Sequence, residues 1–531
     1  MNILLVYPKM PSTFWTFDHA VELAGKQACY PPLGLLTVAA MLPKAWNKRL
    51  IDLNVGDALN EESLRWADFV FLGAMNVQVR SAREIVAQCN RAGVKIVAGG
   101  PLFTHEYESF PTVDHFVLNE AEITLPLFLA DLEAGTPKPL YSTPDFANVH
   151  ETPVPLWELA DLDKYVFAIV QYSRGCPYMC DFCDVTALFG RKPRIKTPEQ
   201  MLAELNALGD LGRFDMVLFA DDNLIGNKGP LKKELLPALI EWRARAPFRV
   251  NFGTQVTVNL VDDEALTTLM LEAGFGSIFC GLESPDEETL KATNKRQNTR
   301  RDLLGNVERL HELGFTISAG FIVGFDTDTP ASFQRMIDFI QRSGIVIATV
   351  NLLKAPPGTE LHARIKREGR LIEPFNFDEN ESNIVPVMDP TTLHKGFDFV
   401  LNHVYRPSLV YERARTFLKP YQKSRPPMPK LARKGSVFPK RRDWESLARL
   451  VMAIGVRGRA RGEFWKFVLW TLFHRPDKIR MALMLSTMAY QLEKMYDRYD
   501  AAAEASKMQV ALVEMPVPTP VETPESATRS A

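Results

Sequence analysis

Short apolar runs alternate with helical patterns twice along this 531-residue chain, and that rhythm restricts the folds open to it. The first set lies at Asn2 to Tyr7, Arg49 to Asn54, Phe69 to Gly73, Val94 to Gly99 and Asp114 to Leu118, with helical spacing between the runs. Strands separated by helices of this length predict a parallel sheet covered on both faces, a Rossmann-like doubly wound α/β domain. Ligands of such sheets bind at the carboxyl ends of the strands. The segment 138-KPLYSTPDFANVHETPVPLWEL-159, with its prolines, reads as a linker. After it the alternation restarts at Val166 to Tyr172, Met216 to Phe219, Arg249 to Thr254, Ser277 to Cys280, Thr316 to Phe321 and Ile347 to Leu353. Six βα units over about 190 residues are too few for a closed eightfold barrel and predict a partial one, with function again at strand carboxyl ends. The expected division is therefore a front domain over 1–137, a linker over 138–160, a partial (βα)6 barrel over 161–370, a mainly helical extension over 371–505 and a disordered tail over 506–531.

The strand ends carry informative residues. In the front domain they are 74-AMNVQ-78, which includes Met75 and Gln78, the pair Gly99-Gly100, and 119-NEAE-122, which includes Glu120. The two glycines suit either a close backbone approach to a flat ligand or a plain tight turn. No G-x-G-x-x-G follows the first run, so a dinucleotide is not expected.

Directly after the first strand of the barrel comes 173-SRGCPYMCDFCDV-185, with Cys176, Cys180 and Cys183 spaced Cys-x3-Cys-x2-Cys. A closed tetrahedral zinc site wants four ligands. Three thiolates with no nearby histidine would also leave zinc a weak Lewis acid. Iron–sulfur cubanes are held by cysteine thiolates, and three protein ligands leave one iron free for a substrate or cofactor. Six cysteines in a chain this long are too few for a disulfide scaffold. Cys29, Cys89 and Cys280 stand singly in apolar or helical contexts and read as buried, inert thiols.

With its aromatic before the last cysteine, this motif resembles that of the radical S-adenosylmethionine (SAM) superfamily. The resemblance implies a [4Fe-4S] cluster on Cys176, Cys180 and Cys183, with SAM chelated by the remaining iron and split to a 5'-deoxyadenosyl radical. Phe182 would then lie near the adenine. Asp221 and Asp222, in 219-FADDNLIGN-227, stand where many members have Gly-Gly-Glu and keep the carboxylates that the SAM ammonium needs. Gln255 and Glu283 fall where members contact the SAM carboxylate or ribose. By the same resemblance the front domain is similar to the cobalamin-binding module of one large branch, with Met75, Gln78, Gly99, Gly100 and Glu120 as candidate cobalamin contacts. The family's Asp-x-His-x-x-Gly motif is absent, so the lower face of cobalamin would lack a protein histidine. Hopanoid-type C-methylases and bacteriochlorophyll-pathway enzymes share this layout. It implies a methyltransferase acting at an unactivated carbon of a small-molecule or lipid-like substrate, with flavodoxin or ferredoxin as one-electron donor. A cyclase or rearrangement enzyme of the Mg-protoporphyrin ester cyclase type, and a non-catalytic sensor of cobalamin or metal, remain alternatives. A methylthiotransferase would need a second cysteine triad upstream, where only Cys29 and Cys89 occur.

The 62 Lys and Arg against 64 Asp and Glu give a net charge of -2, so nucleic acid is not an expected partner. MNILLVYPKM lacks the pattern of an export signal and reads as a first strand, which places the protein in the cytoplasm. The segment 422-QKSRPPMPKLARKGSVFPKRRD-443 reads as a solvated linker. Beyond it, Phe464, Trp465, Phe467, Trp470 and Phe473 cluster in one helical pattern. They suit either a helical core or peripheral contact with an anionic membrane surface.

Overall fold

In the computed structural model, which describes residues 1–13, 16–246, 251–375, 381–424 and 441–513, the first sheet has the order β2-β1-β3-β4-β5-β6, all parallel. Its strands are β1 Asn2–Tyr7, β2 Asn47–Asp52, β3 Phe69–Gly73, β4 Lys95–Gly99, β5 His115–Val117 and β6 Leu140–Tyr141. Strands buried on both faces need unbroken apolar runs, as in β1, where Ile3, Leu4, Leu5 and Val6 are fully buried. Their side chains alternate between two cores: Leu4 and Val6 join the cluster around Phe103, Ile3 and Leu5 the one around Phe128. The sixth strand lies in the segment read as a linker. A two-residue strand leaves too short a pattern to register.

The second sheet runs β7 Ala168–Val170, β10 Val217–Phe219, β11 Phe252–Gln255, β12 Phe275–Glu283, β13 Thr316–Val323 and β14 Ile347–Leu352, parallel and in chain order. It is an open, partial barrel. A short antiparallel pair, β8 Ser173–Arg174 and β9 Arg194–Ile195, stands apart from it. Of the expected strand from Arg249, residues 249 and 250 lie outside the described residues.

The extension contributes the helices Pro390–Val404, Pro407–Leu418, Arg441–Leu450, Arg461–His474 and Ile479–Val513. Arg413 is wholly buried and donates to Ile345 O and Val346 O, which ties Pro407–Leu418 to the entry of β14. The short helix Asp18–Leu23 of the front domain has no side-chain cap of its own. Gln491 Oε1, from the long C-terminal helix, accepts from His19 N at 2.9 Å and Ala20 N at 3.1 Å, satisfying first-turn amides that would otherwise be orphans. The extension therefore packs on both preceding domains. The aromatic group splits: Phe464 and Phe467 are buried, whereas Trp465 and Phe473 are exposed. The helix Ile479–Val513 continues past residue 506, where the tail was expected to begin. Residues 514–531, and residues 425–440 of the expected linker, lie outside the described residues.

Candidate active site at the facing sheet edges

The β8–β9 pair pinches off a loop that carries all three motif cysteines. Its entry turns on Gly175 at φ 93°, where a Cβ would lie 2.9 Å from both Gly190 O and Phe189 O. Only glycine fits that approach. Cys176 N donates to Gly190 O at 3.3 Å and Cys183 N to Cys180 O at 3.2 Å, which fixes the loop on its own backbone. Cys180 is buried and the other two are half-buried. Burial pushes the Cys176 thiol up and that of Cys183 up to about 12, opposed in both by the charge of Lys295. Among the described residues no three His, Cys, Asp or Glu side chains stand close enough to hold a single metal ion, the three thiols included. Three cysteines on one short loop, with no fourth cysteine in the motif, are the donor set that would hold a [4Fe-4S] cluster and leave one iron open.

Two residues that the motif does not contain complete the surroundings. Lys295 Nζ lies 2.7 Å from Glu283 Oε1 and 5.9 Å from the centroid of the Phe182 ring. Gln297 Nε2 donates to Cys180 Sγ at 3.6 Å. Phe182 itself packs edge-on to Phe325, 6.1 Å between centroids.

The carboxylates after β10 have different tasks. Asp221 is fully buried and accepts from Tyr172 N, Ser173 N and Ser173 Oγ, clamping the end of the first barrel strand to the second. Asp222 is half-buried and accepts from Gly175 N at 3.0 Å, which places it against the mouth of the cysteine loop. Burial raises both, Asp221 to about 7 and Asp222 to about 6. Glu283 sits at φ 65° where β12 ends, and a Cβ on Gly281 would lie 2.2 Å from its Oε1. Gln255 is exposed at the end of β11. Beside that strand end, Asn223 is buried, with Oδ1 accepting from Thr257 N at 3.3 Å and Nδ2 lacking a partner among the described residues.

The front sheet turns its carboxyl edge towards this loop. Glu120, in the turn after β5, accepts from Arg174 at 2.9 Å, from Arg194 at 2.8 Å and from Ala147 N at 2.8 Å. Glu122 accepts from Arg174 Nη2 at 2.8 Å and Thr152 Oγ1 at 2.7 Å. Both arginines flank the cysteine loop, so the acidic turn docks the front sheet onto it. The side chain of Glu120 is spent on that junction. Asn119 takes φ 63°, a conformation asparagine tolerates better than most residues.

Further residues stand at the same edge of the front sheet. Met75 opens onto solvent there, 48% exposed, and the buried Asn76 Oδ1 has no partner among the described residues. Asn76 Nδ2 stands 3.3 Å from His105 Nδ1. A Cβ on Gly358 of the barrel would come within 3.8 Å of His105 Nε2 and 3.4 Å of Ala187, so His105 faces the loop that follows the cysteines. A Cβ on Gly100, at φ 92°, would lie 3.0 Å from Ala74 O, and one on Gly99 would lie 2.6 Å from Val117 O, so neither position has room for a side chain. Gln78 is buried and bonds Pro8 O and Met75 N, so it shapes the loop from inside. An exposed thioether and an unpaired amide oxygen fit a broad group with a polar rim, as cobalamin is. The sequence reading passed over Lys295, Asn223, Asn76 and His105. Only Asn76 and Asn223 lay in stretches already singled out, 74-AMNVQ-78 and 219-FADDNLIGN-227.

Comparison with known proteins gives matches across this arrangement. Residues 24–129 match the B12 binding domain, 170–340 the radical SAM superfamily and 359–505 a domain of unknown function, DUF4070. An uncharacterized methyltransferase of Synechocystis sp. is 36% identical over 90% of this chain and 88% of its own length. The hopanoid C-2 methylase of Rhodopseudomonas palustris is 32% identical over 97% of this chain and 98% of its own. Among solved structures, the cobalamin-dependent SAM radical enzyme OxsB superposes with a TM-score of 0.60 at 16% identity, covering 95% of this chain and 81% of that one, which shows the shared fold.

Proposed function

This chain belongs to the B12-binding radical SAM superfamily, enzymes that use a [4Fe-4S] cluster, SAM and cobalamin, and from that premise we propose that it is a C-methyltransferase acting at an unactivated carbon. The observation that carries the reading is the facing of two carboxyl edges. His105 of the front domain reaches the loop after the cysteines, and Glu120 and Glu122 fasten the two domains at the same edge. A methyl carrier at the carboxyl edge of the front sheet and a radical source on the cysteine loop would share one substrate space. When bound, the cluster with SAM supplies hydrogen-atom abstraction and cobalamin supplies methyl transfer.

The chain's own residues hold and shield. Cys176, Cys180 and Cys183 would ligate the cluster while Lys295 offsets their negative charge. Asp222, at the mouth of the loop, would receive the SAM ammonium, with Asp221 fixing the strand end behind it. Glu283, whose carboxylate Lys295 holds, would act towards SAM through that cation. Phe182 and Phe325 form an apolar wall suited to adenine. Met75, Asn76 and Gly100 would meet the corrin, and the exclusion of water from this space would rest on the Arg174 and Arg194 junction. The near full-length likeness to a hopanoid C-2 methylase supports a bulky apolar, lipid-like substrate.

The test is anaerobic incubation of the reconstituted, reduced protein with cobalamin, methyl-labelled SAM and an apolar lipid extract from a deletion strain. Label in a lipid product, with 5'-deoxyadenosine and S-adenosylhomocysteine formed alongside, is the expected result. Deoxyadenosine without label transfer would favour the cyclase or rearrangement reading. No SAM cleavage at all would overturn the enzymatic assignment.

A further inference from the structure

The helix Arg461–His474 is apolar on two opposite faces. Phe464, Phe467, Val468 and Thr471 are buried, with Phe467 5.4 Å from Tyr411, which accounts for one of them. The other face carries Trp465, Leu469, Leu472 and Phe473, each at least 42% exposed and Phe473 83% exposed. Their spacing of i, i+4, i+7 and i+8 puts them in one stripe. The stripe continues onto the preceding turn, because Trp465 Nε1 donates to Gly455 O at 2.9 Å beside the exposed Met452 and Val456. A helix apolar all round is ordinarily enclosed, and here one side has nothing over it among the described residues.

The border of the stripe is basic. Arg457, Arg459, Arg461 and Lys466 are all exposed, Arg459 pairing with Asp497 and Lys466 with Glu463. Residues 444–480 carry eight Lys and Arg against three Asp and Glu, in a chain that is otherwise balanced in charge. A second copy of the chain docked by the same face would set these basic borders against each other. Anionic lipid headgroups match both features, the cations at the border and the aliphatic and aromatic side chains at the level below them. No helix among the described residues is long and apolar enough to cross a membrane, so contact would be with one leaflet. We propose that the stripe Trp465, Leu469, Leu472, Phe473 with its basic border docks the protein on the surface of an anionic lipid bilayer. This does not rest on the catalytic reading, since it concerns a surface of the extension and can be tested on protein without cofactors.

The experiment is cosedimentation of the full chain with vesicles of phosphatidylcholine alone and with about one third phosphatidylglycerol, at low and high salt. Preferential binding to the anionic vesicles that weakens with salt is expected. The double variant L469S/F473S, whose side chains are exposed, should lose about tenfold or more of that binding with an unchanged circular dichroism spectrum. R457S/R461S should lose about fivefold per charge removed. Failure of the parent chain to bind anionic vesicles, equal binding by L469S/F473S, or concentration-dependent self-association abolished by L469S/F473S would each overturn the proposal, the last in favour of a second copy as occupant.

Discussion

Lys295 Nζ lies 2.7 Å from Glu283 Oε1 with about nine-tenths of each side chain out of solvent, and the same cation faces the cysteine loop. Burial works against a charged Lys295. The Glu283 carboxylate, followed by Cys180, outweighs it and holds the ammonium above its ordinary range. Lys295→Met would strand a buried carboxylate, a change that costs about 3–5 kcal/mol in comparable sites. It would also remove the charge that opposes burial at Cys176 and Cys183, raising those thiols further. Less thiolate at a fixed pH means slower cluster assembly, so iron and sulfide incorporation should fall near neutrality and recover partly as pH rises. Iron incorporation equal to the parent at every pH would show that Lys295 does not assist the thiolates.

What the sequence made legible follows from how local each constraint is. The cysteine motif spans eight residues and its spacing is its chemistry, so Cys176, Cys180 and Cys183 could be named without a fold. Asp222 and Glu283 could be placed because strand alternation marks strand ends and the superfamily resemblance assigns those ends to SAM. Lys295 could not, since it follows the helix Glu287–Ala292 and returns across twelve residues to Glu283. Glu120 was read as a cofactor contact from its position at a strand end. Its partners Arg174 and Arg194 lie 54 and 74 residues away, and no local pattern reveals such pairing. In 74-AMNVQ-78 the 3-10 turn Asn76–Gln78 folds Gln78 inward and leaves Met75 exposed at the strand end, a choice of facing that composition does not encode.

The domain junction has a pH signature. Burial alone would raise the Glu122 carboxyl, but the hydrogen bonds and charge of Arg174, with Thr152, together hold it at about 2 against an ordinary 4.5. A carboxyl depressed on folding contributes stability that is present above its unfolded pKa and lost as pH falls through the folded one. The window is therefore pH 4.5 down to about 2. Glu122→Gln should lose about 3 kcal/mol at neutral pH, and its deficit against the parent should shrink across that window. Urea melts at stepped pH measure it, and a deficit constant from pH 7 to 3 would contradict an ionic origin.

Asp222 offers the opposite sign. Burial raises its carboxyl to about 6, so the charged form needed to receive an ammonium is present only above that pH. SAM affinity of the reconstituted protein should decline as pH drops below about 6. Asp222→Asn should bind SAM about tenfold more weakly at pH 8 and show no such decline, since the charge-assisted hydrogen bond is gone. A raised carboxyl contributes stability at low pH that is lost on ionisation, so the variant should be no less stable than the parent at pH 8. Calorimetric titration with SAM and thermal melts separate the two effects. Parent-like affinity would move the ammonium site elsewhere.

The six cysteines divide into three and three, and substitution can show that division directly. Cys180 is buried within the loop, with Gln297 Nε2 3.6 Å from its sulfur. Cys280 is buried more completely, on β12, where burial pushes its thiol up to about 12 against the opposing charge of Lys295. Cys180→Ala should reduce iron from about four per chain to near none after reconstitution and abolish 5'-deoxyadenosine formation. Cys280→Ala should keep full iron and SAM cleavage while costing about 1 kcal/mol in stability from the lost sulfur packing. Iron analysis and chromatography of the nucleoside product decide it. If Cys280→Ala lost iron as Cys180→Ala does, the cluster would have a fourth protein thiolate, and the iron reserved for SAM would not be free.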